Sequence, residues 1–370
     1  MSTFLFATLD AGGNVPPALL IARELMGQGH AVRFLGHEAQ AETIRASGAD
    51  FTAYRTEAPT TPTVEVSALR DSLNWFSTLT DPGIARDLMS DVHRDPPDLL
   101  VIDCLLLGAL GAAAKAGVPY VSLVHSFYAY FDGPFRRDPV SVLARLRGLG
   151  PRQVTRQARS VLVCADRDLD PAGHTHRSGR AVWSGAALDV AAPAEPPVRP
   201  HVLVSLSTIA YPGQPEVLRK ILGAVADLPV DVTLTTGPAV DPQALSASPN
   251  TVVHRYVPHN DVMPRCSAVI GHGGHATTMR ALAHGLPMLI LPLHPMLDQP
   301  MIGKVVQDAG AGLTLSRKSS EAQIAAALTT ILGTGTYAAA ASAIGDRLRA
   351  ADGARRGARL LEDAAQRAVA

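Results

Sequence analysis

The chain opens with Phe4-Leu-Phe-Ala-Thr8, a turn at Ala11-Gly-Gly-Asn-Val-Pro-Pro17 and, further on, Ala31-Val-Arg-Phe-Leu35. The first run is apolar without alternation, which is typical of a parallel strand buried on both faces. Glycines permit a tight turn, and prolines suit the first turn of the helix that the spacing predicts over 18–27. Strand, helix and strand in this order predict a β-α-β unit and therefore a parallel sheet.

The same pattern recurs along the chain. Strands are expected at 98–103, 118–124, 201–206, 230–235 and 287–291, with helices between them. Ala191–Pro200 contains four prolines in ten residues, which is typical of a stiff connector. The sequence therefore predicts an α/β protein with two doubly wound, Rossmann-like parallel-sheet domains that face a cleft over the carboxyl ends of their strands.

We expect domains at 1–190 and 201–370, joined by a linker at 191–200, with the option that the C-terminal helix packs back on the first domain. The stretches 54–92 and 125–156 lack clear periodicity and are expected to be irregular surface or binding loops.

Charge and composition argue against several classes of protein. The 370 residues include 33 basic and 33 acidic ones, so the net charge is zero, whereas binding to nucleic acid or to anionic lipid needs a basic excess. Cys104, Cys164 and Cys266 are too far apart for a disulfide framework. Without a recognisable signal peptide or membrane span, we expect a cytoplasmic protein with no nucleic-acid partner and no stable membrane insertion.

The segment Gly271–Arg280, GHGGHATTMR, follows a predicted strand and opens a predicted helix. Glycines let the backbone approach a ligand, the helix N-terminus offers N–H groups, and Thr277 and Thr278 add hydroxyls. This arrangement suits a phosphate or pyrophosphate, although a glycine-rich turn without a ligand has the same local sequence. It is neither a P-loop nor a dinucleotide fingerprint.

Two more polar groups follow predicted strands. Ser205-Leu-Ser-Thr208 could give a second contact to phosphates or simply cap a helix. Asp298 and Gln299 could hold neighbouring sugar hydroxyls or form a helix N-cap.

Residues 201–313 resemble the nucleotide-sugar domain of family 1 glycosyltransferases with the GT-B fold, especially the bacterial antibiotic and macrolide type. The matching pieces keep the family's order and spacing: Ser205–Thr208, Tyr256-Val-Pro-His259, His272–Thr278 with Ala281–Pro287, and Asp298-Gln299-Pro300. The N-terminal half resembles the family more weakly, through its glycine turn and Asp103.

The resemblance implies roles in donor binding. His272 would contact the diphosphate with Gly274, Thr277 and Thr278, and Ser207 or Thr208 would lie on the other side. Tyr256 and Val257 would line the base pocket, and Asp298 and Gln299 would hold the sugar. Arg280 stands where UDP-sugar members commonly have a ribose-binding glutamate, which favours a dTDP-sugar. The resemblance implies no metal and no cofactor, since the nucleotide sugar is a co-substrate.

The expected catalytic turn departs from the family. The family's turn carries a histidine that deprotonates the acceptor, but Asn14 occupies that position, and an amide cannot accept a proton near neutral pH. Asp103 matches the aspartate that orients this histidine. Three alternatives stay open: another base, either Asp10 or His125; an acceptor that is already acidic or reacts through an activated carbon; or an inactive partner protein.

These inferences give the hypothesis of an inverting glycosyltransferase that moves a (deoxy)sugar to a small aromatic or polyketide-type acceptor. The apolar floor of its acceptor pocket is expected from Trp75, Phe76, Phe127, Tyr128 and Phe131. The alternatives are a nucleotide-sugar epimerase and a non-catalytic partner of a glycosyltransferase. A homodimer is also left open.

Overall fold

The computed structural model describes residues 1–55, 68–175, 179–192, 194–195 and 197–369. The chain forms two compact units. The first runs to Leu188 and also contains the residues from Ala351 on, whereas the second spans Asp189–Ala350. The segment expected as a linker, 191–200, therefore lies at the start of the second unit, and the C-terminal residues group with the first.

The first unit is built on a parallel sheet of seven strands in the order β3-β2-β1-β4-β5-β6-β7. These strands are β1 (Thr3–Ala7), β2 (Ala31–Gly36), β3 (Asp50–Ala53), β4 (Leu99–Asp103), β5 (Tyr120–Val124), β6 (Ser160–Val163) and β7 (Ala181–Trp183). The central strands β4 and β5 are buried throughout, as uninterrupted apolar runs predict.

Helices connect these strands. They are α1 (Val15–Gly27), α2 (Ala41–Ala46), α3 (Ala68–Leu79), α4 (Pro82–Arg94), α5 (Leu107–Ala116), α6 (Tyr128–Asp132), α7 (Pro139–Leu146) and α8 (Pro151–Thr155), with short 3-10 turns at Glu38–Gln40 and Pro134–Arg137.

The expectation that 54–92 and 125–156 are irregular is wrong for the described parts of both stretches, which contain helices. Each of these helices that begins with proline uses it in the first turn, where the missing N–H costs nothing. Asp81 caps α4 by accepting a hydrogen bond of 2.6 Å from the Gly83 amide, and Asp138 caps α7 through the Val140 amide at 2.8 Å.

The second unit has a parallel sheet of six strands in the order β10-β9-β8-β11-β12-β13. Its strands are β8 (His201–Ser205), β9 (Asp231–Thr235), β10 (Thr251–His254), β11 (Ala268–Gly271), β12 (Met288–Ile290) and β13 (Gly312–Thr314). Its helices are α9 (Gln214–Val225), α10 (His259–Val262), α11 (His275–Ala283), α12 (Gln299–Asp308), α13 (Glu321–Gly333) and α14 (Gly335–Ala350), with 3-10 turns at Pro242–Ala244 and Met263–Arg265.

The C-terminal helix α15 (Gly353–Val369) packs on α1 of the first unit. The two helices approach closely at Gly357, where an added Cβ would lie 2.8 Å from Ile21. At the edge of this contact, Nε2 of His30 lies 2.8 Å from a carboxylate oxygen of Glu362. The C-terminal helix thus helps to complete the core of the first unit.

Among the described residues, no helix taken singly has the length and apolar composition to cross a membrane. The bent pair Glu321–Gly333 and Gly335–Arg367 meets that test by length and composition only.

Candidate active site

The glycine turn after β11 is shaped by close packing. Gly273 has φ +86°, and a Cβ there would lie 2.8 Å from the carbonyl oxygen of Gln299. A Cβ at Gly274 would lie 2.6 Å from Cε1 of the His272 ring. The missing side chain of Gly273 therefore lets the turn pack against the start of α12. The missing side chain of Gly274 leaves room for the His272 ring.

Buried polar atoms surround the amino end of α11. Within the described parts of the chain, Nδ1 of His272 and Oγ1 of Thr278 have no hydrogen-bond partner. No side chain caps this helix. Burial lowers the pKa of His272 to about 4, so the ring is neutral at pH 7. Uncapped N–H groups with neutral polar side chains can accept an anion such as a diphosphate.

The strand register places other predicted donor residues beside this turn. Gly271 pairs with Ser205 across β11 and β8. Ser207 follows β8 and accepts a hydrogen bond of 3.0 Å from the Ile209 amide, and the neighbouring Thr208 is exposed. Thr277 is partly exposed on the first turn of α11.

A half-buried arginine, Arg280, lies on the same helix. Burial lowers the pKa of its guanidinium, while Asp189 and Tyr256 act in the opposite direction. Its Nε has no partner among the described residues. Tyr256 is 72% exposed and Val257 is partly exposed, so both predicted base-pocket residues have surface that a ligand could cover.

Gln299 organises the loop after β12. Its Oε1 accepts hydrogen bonds from the amides of Leu293 at 2.8 Å and His294 at 3.0 Å, and the residue is 1% exposed. The amide nitrogen is thus the group of Gln299 that could reach a ligand. Asp298 is partly exposed and does not cap α12 with its side chain.

In the first unit, the register brings Asn14, Asp103 and His125 together. Ala7 pairs with Ile102 across β1 and β4, and Asp103 pairs with Leu123 across β4 and β5. Residues that follow these strands therefore meet at one edge of the sheet. Oδ2 of Asp103 accepts a hydrogen bond of 2.7 Å from the Asn14 amide, and Nδ1 of His125 lies 3.6 Å from the same oxygen.

Cys104 is the third group beside His125, with its Sγ 3.9 Å from Nδ1. The potential ligand atoms of Asp103, Cys104 and His125 lie within 4.8 Å of one another. Burial, followed by the charge of Asp103, raises the pKa of the Cys104 thiol well above its usual value.

Asp10, the other predicted base, is half-buried after β1. Within the described ranges it makes no hydrogen bond or ion pair, in contrast to His125.

The predicted acceptor residues separate into two groups. Tyr128 and Phe131 line a cavity of the first unit whose empty volume is about 390 Å³, including the part open to solvent. Cys104 and Ser122 line it as well. The lining also includes Asp132 with Arg136 and Arg152, which are both ion-paired to it. Phe131 meets the His125 ring edge-on, with centroids 6.0 Å apart. This cavity is thus aromatic and lies next to His125.

Phe127 differs, because its side chain is fully buried and does not line the cavity. The structure therefore places Phe127 in the interior of the first unit, apart from the residues that line this cavity. Trp75 and Phe76 are partly exposed on α3, and the Arg147 guanidinium lies 4.7 Å from the centre of the Phe76 ring.

Sequence reasoning missed two organising side chains. Asp170 accepts hydrogen bonds from the Tyr128 amide at 2.7 Å and from the Trp183 indole at 2.9 Å, so it holds the start of α6. His259 is hydrogen-bonded to Ser205 at 3.0 Å. An aspartate in a turn or a lone histidine carries no local signal for such distant partners.

Two protein-family models match the chain. The model of the C-terminal domain of erythromycin biosynthesis protein CIII-like proteins matches residues 219–354, and a glycosyl transferase 4-like domain matches residues 12–177. L-demethylnoviosyl transferase of Streptomyces niveus is 31% identical over 262 residues, which is 68% of this chain and 66% of that protein. The chain belongs to the natural-product glycosyltransferases.

Solved structures of such glycosyltransferases have the same GT-B fold. The calicheamicin glycosyltransferase CalG4 has a TM-score of 0.79 at 24% identity, with 98% of each chain covered. Glycosyltransferase VinC, solved in complex with dTDP, has a TM-score of 0.75 at 20% identity, with 99% of this chain and 100% of VinC covered. The expected family and fold class are therefore confirmed.

Proposed function

We propose that this natural-product glycosyltransferase moves a hexose-type (deoxy)sugar from a dTDP donor to a small aromatic or polyketide-type acceptor, with inversion and without a metal. The observation that carries the proposal is the pair of buried polar atoms, Nδ1 of His272 and Oγ1 of Thr278, that have no partner among the described residues at the uncapped start of α11. Such atoms are costly unless a ligand satisfies them.

The same groups support metal independence. When the sugar leaves, negative charge develops on the diphosphate, and helix N–H groups with the Thr278 hydroxyl can donate hydrogen bonds to it. They are held in place by the glycine turn and need no reorganisation during the reaction. The acceptor oxygen bonds to the anomeric carbon from the opposite face, which inverts the configuration.

A dTDP donor is supported by Arg280 and by one relative. A guanidinium only donates hydrogen bonds, so it cannot accept them from the ribose hydroxyls as the glutamate of UDP-sugar members does. VinC was solved in complex with dTDP.

The acceptor class is supported by the cavity beside His125. Its walls include the aromatic rings of Tyr128, Phe131 and Phe135, which suit a planar, apolar molecule. The three cysteines are free and buried, which supports a reducing, cytoplasmic location.

The test is mass spectrometry of the protein mixed with dTDP- and UDP-sugars and a panel of phenolic and polyketide acceptors. We expect a glycoside and free dTDP. An epimerised donor without transfer, or a donor that does not raise the melting temperature, would overturn the proposal.

Thr278→Val is the matched variant for the donor site, because it removes the unpartnered hydroxyl and keeps the side-chain shape. We expect about tenfold weaker donor binding, together with an unchanged or higher melting temperature of the free protein. Unchanged binding would show that this hydroxyl does not face the donor.

A further inference from the structure

The carboxylate of Asp103 is fully engaged by neighbours. Oδ1 accepts a hydrogen bond of 2.9 Å from the Leu105 amide, and Oδ2 accepts the Asn14 amide at 2.7 Å. The residue is 4% exposed. A fixed, buried carboxylate of this kind stabilises a positive charge that forms next to it.

Asn14 serves this carboxylate as a donor. Its Nδ2 also donates a hydrogen bond of 2.8 Å to the Leu9 carbonyl oxygen, so both amide hydrogens are used. Asn14 therefore fixes Asp103 but has no means of taking a proton from an acceptor.

His125 is the titratable group beside this carboxylate that can take up a proton. Its Nδ1 faces Asp103 and Cys104, and no partner of Nε2 is found in the described part of the chain. The side chain is 16% exposed, and it borders the aromatic cavity through Phe131. Cys104 remains a neutral thiol, because burial raises its pKa.

From this geometry, we infer that Nε2 of His125 is the general base of the proposed transfer, with Asp103 and Asn14 as positioning residues. The inference rests on the proposed function. As the acceptor O–H proton moves to Nε2, the oxygen bonds to the anomeric carbon. The bond between that carbon and the diphosphate oxygen breaks, and the electron pair leaves with the diphosphate. The imidazolium is then stabilised by Asp103.

The geometry allows the general base to lie at His125 instead of in the glycine turn at 11–17. Asn14 and His125 approach the same Oδ2 of Asp103 from two segments, one after β1 and one after β5. A base on either segment can use the one carboxylate, so loss of the base at position 14 does not leave Asp103 without a function.

The test compares His125→Ala with His93→Ala, a substitution of an exposed histidine on α4, in steady-state transfer with a dTDP-sugar and an accepted phenol. We expect His125→Ala to lower kcat by about 10²–10⁴ with donor affinity unchanged, and added imidazole to restore part of the rate. His93→Ala should stay within about threefold of wild type, because this exposed histidine at the end of α4 lies outside the candidate site.

Two further measurements separate the base from a structural role. The kcat loss should shrink for acceptors with more acidic hydroxyls, since these need less help in losing the proton. Asn14→His added to His125→Ala should recover activity by supplying a base at the same carboxylate.

Full kcat in His125→Ala would overturn the inference, and a fall in kcat by about 10²–10⁴ in Asp10→Asn would then assign the base to Asp10. Failure of the proposed function looks different. In that case the wild-type protein itself would transfer no sugar to any acceptor.

Discussion

Oδ2 of Asp103 accepts a hydrogen bond of 2.7 Å from the side-chain amide of Asn14, and both residues are buried. The pair joins two segments 89 positions apart in sequence. Where the resemblance implies a histidine, the chain has an amide that donates to Asp103, so Asn14 holds the carboxylate and cannot accept a proton near neutral pH.

Asn14→Ala should therefore weaken both stability and catalysis. Loss of the donor leaves one oxygen of a buried carboxylate short of a hydrogen bond, which costs about 1–3 kcal/mol of unfolding free energy. We expect kcat to fall by about tenfold, because Asp103 is less well fixed. Urea unfolding and steady-state kinetics measure the two effects.

Asn14→Asp serves as the control for shape. It keeps the side-chain volume but places a second carboxylate against Asp103, so we expect a larger loss of stability at pH 7 than for Asn14→Ala. A more stable Asn14→Asp protein would contradict the assigned hydrogen bond.

Much of the fold could be predicted from the sequence, because buried parallel strands are uninterrupted apolar runs. β1, β4 and β8 were expected within one or two residues of their observed bounds. The short edge strand β7 was missed, since three residues carry no period. The helices α4 and α7 were missed although Asp81 and Asp138 before proline are readable start signals.

The candidate site could be predicted only in part. The glycine turn at 271–274 carries its own signal in glycine content and position. The choice between Asp10 and His125 does not, because the strands before both residues, β1 and β5, flank β4. Only the side-chain position distinguishes them, with Nδ1 of His125 3.6 Å from Oδ2 of Asp103. Gln299 was expected to hold a ligand, but no sequence pattern shows that its carbonyl oxygen closes a loop.

Arg280 should influence the choice of nucleotide. Arg280→Glu introduces a carboxylate that can accept hydrogen bonds from ribose hydroxyls, so we expect the ratio of kcat/KM for dTDP-sugar over UDP-sugar to fall by about tenfold or more. Arg280→Gln removes the charge with similar reach and should change the ratio less. Equal ratios in all three proteins would show that Arg280 does not face the nucleotide.

Gln299 should be needed for the shape of the donor loop. Gln299→Ala leaves the amides of Leu293 and His294 without their acceptor, so we expect a loss of about 2–4 kcal/mol in unfolding free energy and weaker donor binding. Gln307 on the same helix is a matched control, because its Oε1 accepts the Thr314 amide at 3.0 Å in an exposed position. Gln307→Ala should cost under about 1 kcal/mol and leave donor binding unchanged.

Two buried, neutral histidines should make the protein sensitive to acid. Burial lowers the pKa of His272 from 6.5 to about 4, and burial with the charge of Arg280 does the same for His259. As the pH falls, these histidines gain a proton in the unfolded chain at a higher pH than in the folded protein. The stability that they contribute is therefore complete above pH 6.5 and is lost as the pH falls toward 4. At about 1.4 kcal/mol per pKa unit, protonation of each histidine lowers the free energy of unfolding by up to about 3 kcal/mol. Urea unfolding across this range should show a shallower pH slope in His272→Gln, and a slope equal to that of wild type would contradict the burial of a neutral ring.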